Sequence, residues 1–247
     1  MRKFGLIGFP LSHSFSKKFF SEKFDREHIS DCEYELFPIE TIKSLPQLLA
    51  THTSLSGLNV TIPYKLEVIP FLNAIDEAAQ EIGAVNCISI EQQSGEKVLK
   101  GYNTDAYGFE ESIKPLLNTQ HKKALVFGDG GAAKAVKYVL NKLNIPFLVV
   151  SRGSAVQNIS YFDVTEELLK EYTILINTTP LGMSPNTESY PDIPYAALSD
   201  KHLAYDLVYN PEQTLFLKKA QSLGAKVKNG LEMLHLQAER SWHIWNS

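Results

Sequence analysis

Three clusters in the first half of the chain hold side chains suited to gripping a carboxylate and other polar groups. The first is Ser12-His13-Ser14-Phe15-Ser16, just after an apolar run at 3–7. Two hydroxyls spaced i, i+2 at a helix start can hold a carboxylate together with free backbone N–H groups. A plain helix N-cap would use the same residues, and His13 alone points to nothing. The second cluster is Asn59-Val60-Thr61-Ile62-Pro63-Tyr64-Lys65. Asn59 and Thr61 alternate with apolar neighbours, so they share one face of an extended segment. Strand ends are where α/β proteins place ligands. Lys65 lies just beyond, either within reach of the same place or as a solvated surface charge. The third cluster joins Gly83-Ala-Val-Asn86 to Gly101-Tyr-Asn-Thr-Asp105. Asn86 sits between apolar residues, and a buried amide needs partners. Asp105 begins a helical stretch, where its local role is an N-cap.

A fourth motif, Gly128-x-Gly130-x-x-Ala133, follows an apolar run at 124–127 and opens a helical run at 132–143. It fits the dinucleotide fingerprint. The first glycine permits a tight turn, the second lets the backbone approach a pyrophosphate, and the small third residue lets helix and strand pack closely. The helix N-terminus then offers free N–H groups to the phosphates. Asp129 suits this loop poorly, because an acid repels phosphate unless its side chain turns away or a cation such as Lys134 offsets it. The next strand ends in Val150-Ser151-Arg152-Gly153. No acid stands there for a ribose 2′-OH, whereas a guanidinium suits a 2′-phosphate. The expected cofactor is therefore NADP(H), the plainer alternative for Arg152 being a solvated surface residue.

The elements that must position these groups alternate strand and helix. Apolar runs predict strands at 3–7, 32–37, 57–60 and 86–90, with helices near 16–24, 41–49 and 76–82. The polar run 91–97 reads as a hairpin turn, with a return strand at 98–102. A helix at 106–114, Pro115 and the polar bridge 118–123 mark a boundary. Further strands fit 124–127, 147–150, 173–176, 203–206 and 226–227, with a helix at 214–223 ended by Gly224. In the last helix, Leu231, Leu234, Ala238, Trp242 and Trp245 form one stripe. Alternating βα units predict parallel, helix-covered sheets. Two α/β domains with a cleft between them are expected.

Composition narrows the partners. The chain has 247 residues, 44% hydrophobic and 21% charged, with a net charge of −4. This excludes a disordered or collagen-like chain and argues against nucleic-acid or acidic-membrane binding. Cys32 and Cys87 cannot make a disulfide scaffold, and no C-x-x-C pair offers a metal site. A reducing, cytoplasmic setting is the default. No apolar run approaches the ~18 residues of a membrane span. The apolar start is broken by Gly5, Gly8 and Pro10, so it reads as a strand rather than a signal peptide.

Taken in order, the segments resemble the shikimate dehydrogenase family. The matching stretches are Gly8-Phe-Pro10 with Ser12-His-Ser14-Phe-Ser16, the Asn59–Lys65 run, Gly83-Ala-Val-Asn86, Asn103-Thr-Asp105, Gly128-x-Gly130-Gly131-Ala132 and Ser151-Arg152. Asn177-Thr178-Thr-Pro-Leu-Gly-Met183, Tyr205-Asp-Leu-Val-Tyr209-Asn-Pro211 and Gly230-Leu-Glu-Met-Leu234 with Gln237-Ala238 complete the set. The resemblance implies reversible, NADPH-dependent reduction of 3-dehydroshikimate to shikimate, a step of aromatic (chorismate) biosynthesis. It implies a substrate domain, 1–104 joined by the helix 231–247, and a Rossmann-like NADP domain, 105–230. On the family pattern Lys65 and Asp105 are the catalytic pair. Ser14 and Ser16 bind the substrate carboxylate, with Tyr209 joining them. Asn59, Thr61, Asn86 and Gln237 bind ring hydroxyls. Gly128, Gly130, Gly131, Ala132, Ser151, Arg152 and Thr178 hold the cofactor, and no metal is implied. The expected partner is a small-molecule substrate, with no nucleic acid or membrane, for a monomer or homodimer. The residue types agree: hydride delivery to a ketone builds negative charge on oxygen, which an ammonium can stabilise and protonate.

The chain also departs from the pattern. Lys17 stands where a proline usually follows the second serine. After Ser151-Arg152 the family commonly continues with threonine, a second arginine and a helix. Here Gly153-Ser-Ala-Val-Gln-Asn leads toward Tyr161-Phe162-Asp163, so that helix is missing or cut to a turn, and one phosphate-binding arginine is absent. This weakens the expected NADP preference. The chain also stops soon after Trp245, without the extra terminal helix of many relatives. A quinate/shikimate dehydrogenase using NAD is the nearest alternative, opposed by the missing acid after Val150. A methylene-tetrahydrofolate dehydrogenase shares a two-domain plan but is disfavoured by the paired serines and Asn-Thr-Asp. A catalytically silent NADPH-binding regulator would need a broken pair, yet Lys65 and Asp105 are both present.

Overall fold

The predicted strands, joined by two further strands of two residues each, pair into two separate six-stranded sheets. The computed structural model describes residues 1–11, 14–152 and 158–247. The chain divides into two units, Met1–Tyr107 with Gln237–Ser247, and Gly108–Leu236.

The first unit contains β1 (Arg2–Gly8), α1 (Phe15–Arg26), β2 (Cys32–Pro38), α2 (Leu45–Thr51), β3 (Leu55–Val60), β4 (Ala74–Ile75), α3 (Glu77–Ile82), β5 (Cys87–Gln93), β6 (Glu96–Tyr102) and the start of α4 (Thr104–Ile113). Its sheet runs β2-β1-β3-β5-β6-β4. β1 pairs in parallel with β2 and β3, but β5 is antiparallel to both β3 and β6. The sheet is therefore mixed rather than all parallel. For β5 and β6 the cause is local: the expected turn at 91–97 shrinks to Ser94-Gly95, both at positive φ (+53° and +88°). A two-residue turn of that kind returns a strand directly beside its predecessor. Ile7, Leu58, Val60, Val85 and Ile88 fill the core on one side, and Phe4, Phe20 and Tyr34 on the other.

The second unit contains β7 (Ala124–Phe127), α5 (Gly131–Lys142), β8 (Phe147–Val150), β9 (Asn158–Ile159), α6 (Glu166–Glu171), β10 (Ile174–Asn177), β11 (Leu203–Asp206), α7 (Leu215–Ser222), β12 (Lys226–Lys228) and the start of α8 (Leu231–Trp245). All pairings are parallel, in the order β12-β11-β10-β7-β8-β9. Renumbered from β7, this is the doubly wound dinucleotide-binding order, whose direction reverses between β7 and β10. β7, β10 and β11 are buried along their whole length, as strands covered on both faces must be.

α8 buries part of the stripe its apolar residues predict, Ala238 and Trp245 with Trp242 packed beside them, and adds polar residues to it. Leu231 is exposed, while Met233, Gln237, Ala238, Ser241 and Trp245 are buried. Trp245 lies against β3 where only a glycine leaves room: a Cβ on Gly57 would come within 2.3 Å of its Nε1. That Nε1–H donates to Ile88 O (3.0 Å), and the indole stacks on Phe4 at 4.8 Å.

Asp206, at the end of β11, is fully buried. It accepts from the Thr214 hydroxyl (2.6 Å), Asn177 Nδ2 (2.9 Å) and the Val208 N–H (3.0 Å). Burial outweighs these bonds and pushes its carboxyl up to about 6. The unfolded chain releases this proton near pH 4, so between those values the folded chain binds more protons. Stability from this group is full below pH 4 and falls as pH rises through 6. Chemical unfolding from pH 4 to 7 should show wild type losing on the order of 2 kcal/mol relative to Asp206→Asn. Parallel profiles for the two proteins would contradict this.

Candidate active site

Lys65 and Asp105 meet because a neighbour takes over the capping role expected of Asp105. Asn103 caps α4, its Oδ1 accepting from the Ala106 N–H at 3.1 Å. The Asp105 carboxylate is left to meet Lys65, with Nζ–Oδ2 at 2.6 Å. Both side chains keep some exposure, 20% and 16%, so a ligand can reach them. The backbone laces the two motifs together. The Val85 N–H donates to Lys65 O (2.8 Å), Asn103 Nδ2 to Ala84 O (2.9 Å), and the Asn86 N–H to Tyr102 O (3.0 Å). Gly83 makes this possible by ending α3 in the left-handed region (φ +66°), where a side chain is strained.

Beside the pair runs a buried polar network. Asn86 Oδ1 accepts from the Thr104 N–H (2.6 Å) and lies 3.2 Å from its hydroxyl. That hydroxyl also lies within hydrogen-bond distance of Gln237 Oε1 (3.4 Å) and Ser241 Oγ (3.3 Å). Asn59 Nδ2 donates to Ser241 Oγ (3.0 Å) and Asn86 O (3.3 Å), while its Oδ1 accepts from the Tyr34 hydroxyl (2.8 Å). The Asn86 amide N–H groups are different: no described residue accepts from them, although the residue is only 3% exposed. Thr61 fixes the end of β3 through its N–H to Ile7 O (3.0 Å).

Ser14 does act as the N-cap of α1, its Oγ accepting from the Lys17 N–H at 3.3 Å. A hydroxyl can cap and still donate its own hydrogen. Ser12 and His13 lie outside the described residues. Tyr209 belongs to the second unit, exposed on the loop after β11.

In the second unit the glycine loop crosses the reversal point of the sheet. Gly128 takes φ +99°, and a Cβ there would press on Thr178 and Thr179 at 2.9 and 2.8 Å. Gly130 and Gly131 are glycines for another reason, since a Cβ at either would meet nothing within 4 Å. Protein packing does not demand them, and the open space over them leaves room for a bulky group at the start of α5. No side chain caps that helix, so its first N–H groups suit a pyrophosphate. Ala133, fully buried, lets α5 pack closely. Gly128, Asp129, Gly130, Ser151, Arg152, Tyr161 and Thr178–Pro180 line one hollow of 330 Å³. The residues present therefore fit a dinucleotide. Asp129 is offset mainly by Lys137, at 2.5 Å, with the expected Lys134 adding a weaker attraction, and Lys137 foremost holds its carboxyl below the ordinary range. The shortened stretch after Arg152 lies largely outside the described residues at 153–157, and the chain resumes as β9.

The family model for the shikimate dehydrogenase substrate binding domain matches residues 6–88. A shikimate dehydrogenase (NADP(+)) from Methanosphaera stadtmanae is 34% identical, over 98% of this chain and 90% of that protein. The chain belongs to the shikimate dehydrogenase family. Solved structures agree. A chorismate mutase/shikimate 5-dehydrogenase fusion protein from Clostridium acetobutylicum superposes with a TM-score of 0.87 at 36% identity, over 100% of this chain and 91% of that one. The Thermus thermophilus shikimate 5-dehydrogenase, in complex with NADP(H) and shikimate, gives 0.84 at 30% identity, over 99% and 93%. The two-domain α/β architecture of that family is the architecture here.

Reading the motifs one at a time misses Tyr34, Thr104 and Ser241, which tie the polar network together. Ser241 stands one helical turn after Gln237, and that i, i+4 polar pair on a helix otherwise rich in tryptophan and leucine is the signal for it. Several family motifs prove to be scaffolding. Asn177 Oδ1 accepts from the Thr179 N–H (3.1 Å) and hydroxyl (2.6 Å), shaping the loop after β10. Gly230 passes so close to Leu207 O that a Cβ would lie 2.1 Å from it. Cys87 is buried, which pushes its thiol up to about 12, and no thiolate chemistry follows.

Proposed function

We propose that the chain catalyses the reversible, NADPH-dependent reduction of 3-dehydroshikimate to shikimate, in aromatic biosynthesis. The observation that carries this is the 2.6 Å Lys65–Asp105 pair, reachable by a ligand and set beside the polar Asn86 network. When bound, NADPH supplies the hydride. The Lys65 ammonium stands by the oxygen that gains charge, stabilises it and gives it a proton. Asp105 holds the ammonium in position. The Asn86 amide N–H groups, the Thr61 hydroxyl and Gln237 bind ring hydroxyls. Ser14 and Ser16 take the carboxylate, with Tyr209. Asn59 donates both its N–H groups inside the unit and serves chiefly to position Asn86 and Ser241. A substrate lacking one hydroxyl would leave such groups unpaired at about 1–3 kcal/mol each, which favours the correct ring. Gly128, Gly130, Gly131, Ala132 and Thr178 hold the dinucleotide, with Ser151 and Arg152 at its ribose end.

Steady-state kinetics with shikimate and quinate, each with NADP+ and NAD+, test this reading. The shikimate/NADP+ pair should give the highest kcat/KM. A higher value for quinate with NAD+ would transfer the assignment to the quinate-using alternative. Asp105→Asn should lower kcat roughly a hundredfold, with KM for shikimate little changed, because it loosens the ammonium without removing it.

A further inference from the structure

We propose that Lys137 sets the cofactor choice of this chain by neutralising Asp129 at the ribose 2′ position. This rests on the NADP reading above. Asp129 stands between the first two glycines of the loop and lines the same hollow as Ser151 and Arg152. Its Oδ1 accepts from Lys137 Nζ at 2.5 Å, and its Oδ2 from Asn158 Nδ2 at 3.1 Å. Asn158 also donates to Ser151 Oγ at 3.1 Å. The carboxylate is thus tied to the end of β8. In doubly wound folds that is where an acid accepts a bond from the ribose 2′-OH and so selects NAD. Here the acid reaches that place from the first loop instead.

An acid beside a 2′-phosphate would repel it unless paired. Lys137 supplies the pair from α5, its side chain lying back toward the helix N-terminus as helical side chains do. Lys134 adds a weaker electrostatic contribution. With Lys137 engaged, Arg152 is left to face an anion, and the hollow accepts a phosphate despite the acid within it. Without Lys137, the carboxylate stands uncompensated in the hollow, repels a 2′-phosphate and becomes an acceptor for an unmodified 2′-OH. One lysine therefore does part of the work of the arginine that this chain lacks.

The test is titration calorimetry of the purified chain with NADP+ and with NAD+, without substrate, so the readout is independent of turnover. Lys137→Met keeps the aliphatic stem and should weaken NADP+ binding about tenfold or more, leaving NAD+ binding unchanged or tighter. Adding Asp129→Asn to that variant should restore NADP+ affinity, and Lys137→Arg should retain it. Equal losses for both cofactors, or no loss for either, in a folded Lys137→Met protein overturn the proposal. So does a failure of Asp129→Asn to restore NADP+ binding. Wild type binding NADP+ no tighter than NAD+ would instead remove the NADP reading itself.

Discussion

Replacing Lys65 with alanine should lower kcat about a thousandfold while NADPH binding stays intact. The substitution removes the proton donor and leaves worse than a gap. Asp105, which meets that ammonium at 2.6 Å, would present an unpaired carboxylate to an oxygen gaining negative charge. The loss should therefore exceed that of Asp105→Asn. It should fall on the chemical step, because Lys65 and the glycine loop belong to different units. Single-turnover kinetics should show slowed hydride transfer with an unaltered NADPH dissociation constant. Near-normal turnover would end the catalytic assignment of Lys65.

Replacing Trp245 with alanine should cost about 3–5 kcal/mol of stability. The indole fills the space over Gly57, stacks on Phe4 at 4.8 Å, packs against Phe20 at 5.4 Å and donates to Ile88 O at 3.0 Å. Alanine leaves a cavity and strands a carbonyl that had a donor. The same side chain anchors the end of α8, which carries Gln237 and Ser241 into the polar network. KM for shikimate should therefore rise as well. Urea unfolding measures the first effect, and a change below about 1 kcal/mol would contradict the anchoring role.

The glycine loop and the apolar runs were legible because their physics is local. A turn needing positive φ at Gly128, and strands buried on both faces, leave their marks in consecutive residues. The pairing of Lys65 with Asp105 was legible only through the family resemblance. From local sequence Asp105 looks like a helix cap, and nothing near it tells that Asn103 takes that duty. The mixed first sheet was half visible: the turn that makes β6 antiparallel to β5 was apparent, but nothing in the apolar runs marks β5 as antiparallel to β3 as well. The inward face of α8 is only partly legible, through Ala238, Trp242 and Trp245, because hydrophobicity marks only apolar burial. Gln237 and Ser241 are buried as members of a hydrogen-bonded network, while Leu231 stays outside. Position alone favours Lys134 as the partner of Asp129, yet Lys134 acts only from a distance and Lys137 makes the contact. A helical lysine reaches back along its own helix, which brings Lys137 to the loop. β4 and β9, two residues each, carry no period for a pattern to show.

The most direct measurement is the absorbance of NADPH after 3-dehydroshikimate is added to the purified wild-type chain, with Lys65→Ala in parallel. The wild type should oxidise the cofactor rapidly, to an equilibrium that added shikimate reverses, while the variant is nearly silent. No oxidation by a folded wild-type chain that binds NADPH would contradict the proposed activity.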